Sequence, residues 1–262
     1  MRRLCNRKCI FNKGGNLFTS ELNKANMGCM KDSELEFDRS VHVIYSGRCR
    51  EILRTLIEKH YGKKILEEVW EKVQKQYVSF LSGYRTDLGG KKNFHNGECG
   101  TYDCIAFFSY WKVCRDVTSF EEIEKAYGDL FLPSFAKLSF VDCNRPVFMR
   151  LLNTAFRISA GKCAKWKDYD MRVEPYRKGE PVRYRFYSCP VAEFAREHNL
   201  LDILPALCNA DYAGMELIHA RLVRTKTCGK DDYCDYTICG DRHPYLKEHE
   251  EYRDGNGGRW NR

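Results

Sequence analysis

The segment KTCGKDDYCDYTICGD, residues 226–241, holds Cys228, Cys234 and Cys239 within twelve positions. Thiols at such spacing can bind a metal, close a disulfide, supply a nucleophile or simply pack. If YCDYTIC is a strand, side chains alternate between its faces. Cys234, Tyr236 and Ile238 then share one face, and Asp235, Thr237 and Cys239 the other. Cys234 and Cys239 therefore do not meet at one metal without a bulge, and Cys239 reads as packing. A zinc ribbon needs two close ligand pairs, usually spaced CxxC, and no CxxC occurs in the chain. A ligand set of Cys208, Cys228 and Cys234 across a hairpin mouth stays open. So does a Cys228–Cys234 disulfide, against which a reducing compartment argues.

Two further places offer chemistry. In ALCNADYAGMELIHARL, Cys208, Asp211, Met215 and His219 fall at i, i+3, i+7 and i+11. On one continuous helix they form a single stripe of thiol, carboxylate, thioether and imidazole. Spacing alone favours a packing role for Cys208 and Met215, with Asp211 bonding backbone and His219 ending the helix. Cys189 precedes Pro190 at a helix start, where free amides and the helix dipole can favour a thiolate. Spacing alone again favours a small residue that fits before proline.

The elements that must hold these groups are legible as patterns. Residues 47–61 and 63–81 carry apolar residues at helical spacing, divided by Gly62. The stretch 82–100 is polar and glycine-rich, a loop. TYDCIAFFSYWKVCR, 101–115, is a strongly apolar helix. Thr118 and Glu121 stand as a capping box for the next one, and Pro146 suits the first turn of another. Residues 171–177 and 182–188 alternate and are rich in β-formers, a hairpin. A helix follows from Pro190, and a second helical stretch runs from about Ile203 to His219. ARLVRTKT and YCDYTIC flank GKDD as a second hairpin. The expected fold class is α+β: a helical N-terminal half, then a largely antiparallel sheet of two hairpins with intervening helices. The expected division is a basic extension over 1–30, one domain over 31–241 and a polar tail over 242–262.

Composition bounds the classes. Over 262 residues, hydrophobic content is 43% and aromatic content 13%, values of a globular chain with a sizeable core. The net charge is +8. Residues 1–30 carry Arg2, Arg3, Arg7, Lys8, Lys13 and Lys24 against Glu21. That is a net +5, leaving +3 for the body, so no phosphate-binding footprint emerges. No apolar run is long enough to span a membrane, and the basic start lacks a secretory apolar core. The expectation is a cytoplasmic protein without nucleic-acid or membrane partners, acting on a small molecule. Fourteen cysteines, mostly inside apolar runs, read as free thiols that pack as small hydrophobes.

The run from Cys189-Pro190 through Cys208-x-x-Asp211, a basic strand with Arg224, Thr225 and Thr227, then Cys234-Asp235-Tyr236, resembles the C-terminal signature of the L-2-amino-thiazoline-4-carboxylic acid hydrolase family. GGKKNFHNGECGTYDCIAFF fits that family's upstream loop and Thr-Tyr-Asp helix. The resemblance covers roughly residues 35–241. The turn departs from it, holding Cys228 and GKDD where the family pattern has alanine or glycine. The resemblance implies hydrolytic opening of a cyclic amidine-like thiazoline to N-carbamoyl-cysteine. That chemistry needs a nucleophile or activated water, a base, an acid and a cation for the substrate carboxylate. Candidates for chemistry are Cys208, Asp211, Cys234, Asp235 and His219. Candidates for substrate contact are Arg224, Thr225, Asn93, Asp103 and Cys189. No cofactor is required, while zinc or manganese on Cys208, Cys234 and Cys228 stays open. The competing reading is a non-catalytic small-molecule-binding domain similar to 4-vinyl-reductase-type sensor modules.

Overall fold

The structure, a computed structural model, describes residues 45–83, 100–164 and 169–262. Among the described residues, five long helices come first: α1 (Gly47–Tyr61), α2 (Leu66–Gly83), α3 (Gly100–Cys114), α4 (Phe120–Ala136) and α5 (Pro146–Cys163). Strands β1 (Asp170–Val173) and β2 (Val182–Ser188) follow, then short helices α6 (Pro190–Glu197), α7 (Leu204–Cys208) and α8 (Ala210–Glu216). Strands β3 (Ala220–Val223) and β4 (Cys234–Gly240) complete a four-stranded sheet in the order β1-β2-β4-β3. Every pairing in that sheet is antiparallel. The expected α+β class is therefore observed, with its two hairpins joined through the β2–β4 ladder.

Local sequence explains most boundaries. Ser46 caps α1 by accepting from the Cys49 amide. The capping box of α4 lies one residue later than expected, on Ser119 and Glu122. Thr118 is instead buried, with its hydroxyl bonded to that of Tyr110 at 2.9 Å. Pro146 and Pro190 open α5 and α6 at positions where a missing N–H costs nothing. Helix α3 is apolar all round and is accordingly buried, packing against α2, α1 and α6.

The register places one row of side chains toward the helices. Phe186 faces Cys234, Tyr184 faces Tyr236, and Val182 faces Ile238. Tyr184 and Tyr236 stack with ring centroids 4.6 Å apart. Leu222 lies across from Ile238, so Arg224, two residues on, comes level with Tyr236. Cys239 sits on the other face, opposite Arg221, and is buried there.

Two expectations are corrected. The helical stretch 203–219 is not continuous. It breaks at Asn209, between α7 and α8, and ends before His219, which lies in the left-handed region at φ 53°. Asn209 is buried, and its side chain donates to Glu124 and to the Gly257 carbonyl while accepting from the Arg259 amide. These tertiary bonds hold the break. The second correction concerns residues 242–262, expected to be a solvated tail. They form a 3-10 turn (Pro244–Glu248) and a hairpin of β5 (Glu251–Arg253) and β6 (Arg259–Asn261), with Trp260 and Asn261 buried.

The close of β4 is tight. A Cβ at Gly240 would stand 2.5 Å from Asn144 Oδ1 and 2.9 Å from Asn144 Cα. That backbone cannot rotate away as a flexible side chain would. Replacing Gly240 with Ala is expected to lower unfolding stability by roughly 1–3 kcal/mol, read as an earlier urea midpoint. An unchanged midpoint would show that the Asn144 segment yields freely.

Candidate active site

The site is built around Arg224, the residue following β3. Its side chain is only 1% exposed. Its main chain is bonded from both sides by Asn261: the Arg224 amide donates to Asn261 Oδ1 at 3.0 Å, and the Asn261 amide donates to the Arg224 carbonyl at 2.9 Å. Three rings surround the guanidinium. Tyr212, Trp260 and Tyr236 have centroids 5.0, 5.2 and 5.7 Å from its central carbon. Cation–π contact of this kind, away from water, offsets part of the cost of burying the charge.

In front of the guanidinium stands a carboxyl–phenol pair. Arg224 Nη1 lies 3.6 Å from Asp211 Oδ2, and the Tyr236 hydroxyl donates to the same oxygen at 3.1 Å. Asp211 is reached from α8 and Tyr236 from β4, so helix and sheet meet at one oxygen. Burial raises the Asp211 carboxyl above the usual carboxylate range, while Arg224 and Tyr236 pull against that rise. Yet 36% of its side-chain surface is open.

Beside this pair are four thiols with different acidities. Cys234, at the start of β4, accepts from the Cys228 amide at 3.1 Å and lies 3.6 Å from the Thr227 hydroxyl. The hydrogen bond from the Cys228 thiol, those two donors and the positive charge of Arg224 outweigh burial and bring the Cys234 thiol down to about 7. The Cys228 thiol is pushed up by the same bond. Burial pushes Cys189 up to about 12, although the amides of Val191 and Ala192 at the start of α6 pull it down. Cys208 is raised as well, by burial first. Cys234 is thus the thiol poised as thiolate near neutral pH.

The far wall comes from the helical half. Cys104 of α3 and Tyr127 of α4 are bonded at 3.3 Å, and both feel the charge of Asp211. Tyr169 is bonded to Thr101 and feels Cys189. Next to the cluster opens a cleft of about 350 Å3, lined by Cys208, Arg224, Thr227, Lys230 and Trp260 among others. Thr227 belongs both to that lining and to the surroundings of Cys234.

The residues expected from sequence divide clearly. Cys189, Cys208, Asp211, Arg224 and Cys234 come together, with Cys228 beside them. Asp235 does not join them. It points to the opposite face and ties the β3–β4 turn, accepting from the Thr225 amide and hydroxyl and from the Lys226 amide at 2.6–2.8 Å. Thr225 is engaged in the same tie. His219 faces Asp241 at 3.3 Å on the exterior, carried away by the helix break. Asp103 accepts from the Ser46 amide and hydroxyl, fixing the start of α1 to α3. Asn93 lies outside the described residues. Among the described residues, no group of three or more His, Cys, Asp or Glu is disposed to hold a metal ion, so Cys208, Cys228 and Cys234 do not form the ligand set left open. All three are free, and the Cys228–Cys234 disulfide is not formed. Tyr236, Thr227 and Trp260 were not singled out for the site. Alternation from Cys234 already put Tyr236 on the reactive face and the basic-strand signature contained Thr227, whereas no local pattern marks Trp260.

Comparison with known families adds one finding. Residues 136–238 match the model of the L-2-amino-thiazoline-4-carboxylic acid hydrolase family. The match bears out the resemblance over that stretch, and it spans β1 to β3, most of β4, α6 to α8 and the thiol–carboxyl cluster apart from Thr101, Cys104, Tyr127 and Trp260. The family is by name a hydrolase family. None of the curated proteins compared matches the chain. Among the described residues, no helix is long and apolar enough to cross a membrane.

The thiol acidities are directly measurable. Labelling with a small thiol reagent across pH 5–10, followed by peptide mass spectrometry, is expected to give Cys234 a midpoint near 7, with Cys189 rising only at much higher pH. A Cys234 midpoint at or above 9 would remove it as the poised thiolate.

Proposed function

We propose that the protein is a thiol-dependent hydrolase that opens a small cyclic amidine, with 2-amino-thiazoline-4-carboxylate giving N-carbamoyl-cysteine as the leading case. The observation that carries this reading is the pairing of a depressed thiol, Cys234, with a protonatable carboxyl, Asp211, in one buried cluster. The family match over the same residues supports the reaction class. A cleft of about 350 Å3, lined by Cys208, Thr227 and Lys230 among others, opens beside the cluster and is of a size for a five-membered ring.

The chemistry runs in two displacements at one carbon. The Cys234 thiolate adds to the ring carbon between sulfur and nitrogen. The ring carbon–sulfur bond breaks, and the departing sulfur takes the proton held by Asp211. The substrate remains attached to Cys234 through that carbon. Asp211, now a carboxylate, accepts one proton from water as the water oxygen adds to the same carbon, and the other water proton passes to the former ring nitrogen. Cys234 then leaves as thiolate and a carbamoyl group remains. One water is consumed, and the ring sulfur ends as a free thiol.

Burial raises the Asp211 carboxyl, which favours its part as proton donor in the first step. Arg224 limits that rise and stabilises the carboxylate needed in the second. Its fork is enclosed by Tyr212, Trp260 and Tyr236 at 1% exposure, so it acts from behind Asp211 and does not grip substrate directly. Cys189 and Cys208 shape the wall.

Release of free thiol from the thiazoline is the test. Replacing Cys234 with Ser is expected to lower turnover at least ~100-fold, and Asp211→Asn by a similar factor, with far-UV circular dichroism unchanged. Full activity in Cys234→Ser would end the nucleophile role. Tight binding of the thiazoline by the unaltered protein without any thiol release would instead favour the binding-domain reading.

A further inference from the structure

Cys228 has no part in the proposed reaction, yet it is the residue most closely engaged with the Cys234 sulfur. Its amide donates to that sulfur at 3.1 Å. Its own thiol has two acceptors in reach, the Cys234 sulfur and the Phe186 carbonyl at 3.4 Å. The amide and the thiol of Cys228 therefore both lie against the Cys234 sulfur. The turn between the two residues is held closed from outside. Lys230 and Asp231 amides donate to the Thr227 carbonyl, the Asp235 amide donates to the Lys226 carbonyl, and Asp235 ties Thr225 and Lys226. The closed turn therefore keeps Cys228 against Cys234.

From this geometry we infer that Cys228 and Cys234 form a peroxide-modifiable site, in which Cys234 is oxidised and Cys228 captures it as a reversible intramolecular disulfide. The first step transfers one oxygen from hydrogen peroxide to the Cys234 thiolate. The O–O bond breaks, an S–O bond forms, and hydroxide leaves. The sulfur is oxidised to a sulfenic acid and the peroxide is reduced. In the second step the Cys228 sulfur attacks the Cys234 sulfur. The S–O bond breaks, the S–S bond forms, and water leaves carrying the Cys228 proton. Two electrons from the thiol pair reduce one peroxide to two waters overall. A thiol reductant restores both cysteines. Capture by Cys228 keeps Cys234 from the irreversible sulfinic stage.

The open side of the cluster gives a molecule as small as peroxide a route, since Asp211 retains accessible surface there. The neighbouring thiols set the specificity question. Cys189 and Cys208 are both within electrostatic reach of Cys234, but neither has a hydrogen bond to its sulfur among those found for the described residues. The prediction singles out one partner among several nearby thiols.

The test uses the full reduced chain, a few equivalents of hydrogen peroxide, alkylation of remaining thiols and tryptic mass spectrometry. Trypsin separates Thr227–Lys230 from Asp231–Arg242. The expected product is these two peptides joined through Cys228 and Cys234, lost again on treatment with dithiothreitol. In Cys228→Ser the expected product is a dimedone adduct on Cys234 and, at higher peroxide, its sulfinic acid. Joining of Cys234 to Cys189 or Cys208 would overturn the proposal, as would joining of Cys228 to Cys239 or a Cys234 that stays reduced while other thiols oxidise. Because the readout is covalent mass and not turnover, it is independent of whether the thiazoline is the substrate.

Discussion

The buried guanidinium of Arg224 is the constraint around which the C-terminal half is arranged. An arginine at 1% exposure is tolerated only where its charge is compensated, because an uncompensated buried charge costs several kcal/mol. Its Nε finds no hydrogen-bond partner among the described residues, so the surrounding rings and carboxyl carry that compensation. Here compensation comes from four directions: the Tyr212 ring from α8, Tyr236 from β4, Trp260 from β6 and the Asp211 carboxyl. These partners come from three segments, α8, β4 and β6. Satisfying one side chain thus fixes the helix break, the sheet face and the terminal hairpin relative to one another. Asn261 completes the arrangement by bonding the Arg224 main chain where the β3–β4 ladder has ended.

The same charge sets the chemistry in front of it. Arg224 favours the ionised forms of both Asp211 and Cys234, while burial opposes ionisation of each. The balance differs because their other partners differ. Asp211 has one phenol donor and stays above the ordinary carboxylate range. Cys234 has an amide, a thiol and a nearby hydroxyl and falls well below the ordinary thiol range. Two groups with ordinary acidities far apart are thereby drawn toward each other, Asp211 upward and Cys234 downward. The hairpin turn is part of this device, since the amide and thiol of Cys228 act on Cys234 only while the turn is closed.

Much of this was legible in the sequence, for reasons that are local. Period-two alternation placed Cys234, Tyr236 and Ile238 on one face and Asp235, Thr237 and Cys239 on the other, and the strand register agrees. Cys189-Pro190 marked a helix start because proline fixes the first turn. What sequence missed depends on contacts between distant segments. The stripe ending in His219 assumed an unbroken helix, whereas Asn209 bonds to Glu124, Gly257 and Arg259 from outside it. Asp235 matched a reactive motif but is consumed in holding its own turn. Residues 242–262 looked solvated because their polarity hides two buried residues, Trp260 and Asn261, that earn their place only against Arg224 and Tyr212.

The most direct test of the account is the intact mass of the protein quenched in acid during reaction with 2-amino-thiazoline-4-carboxylate. Opening the ring on Cys234 expels no fragment, so the predicted result is a transient species heavier by one whole substrate, mapped to the Asp231–Arg242 peptide and absent in Cys234→Ser. Steady release of thiol with no such species at any quench time, and with Cys234→Ser fully active, would contradict the central claim and place the attack on water alone.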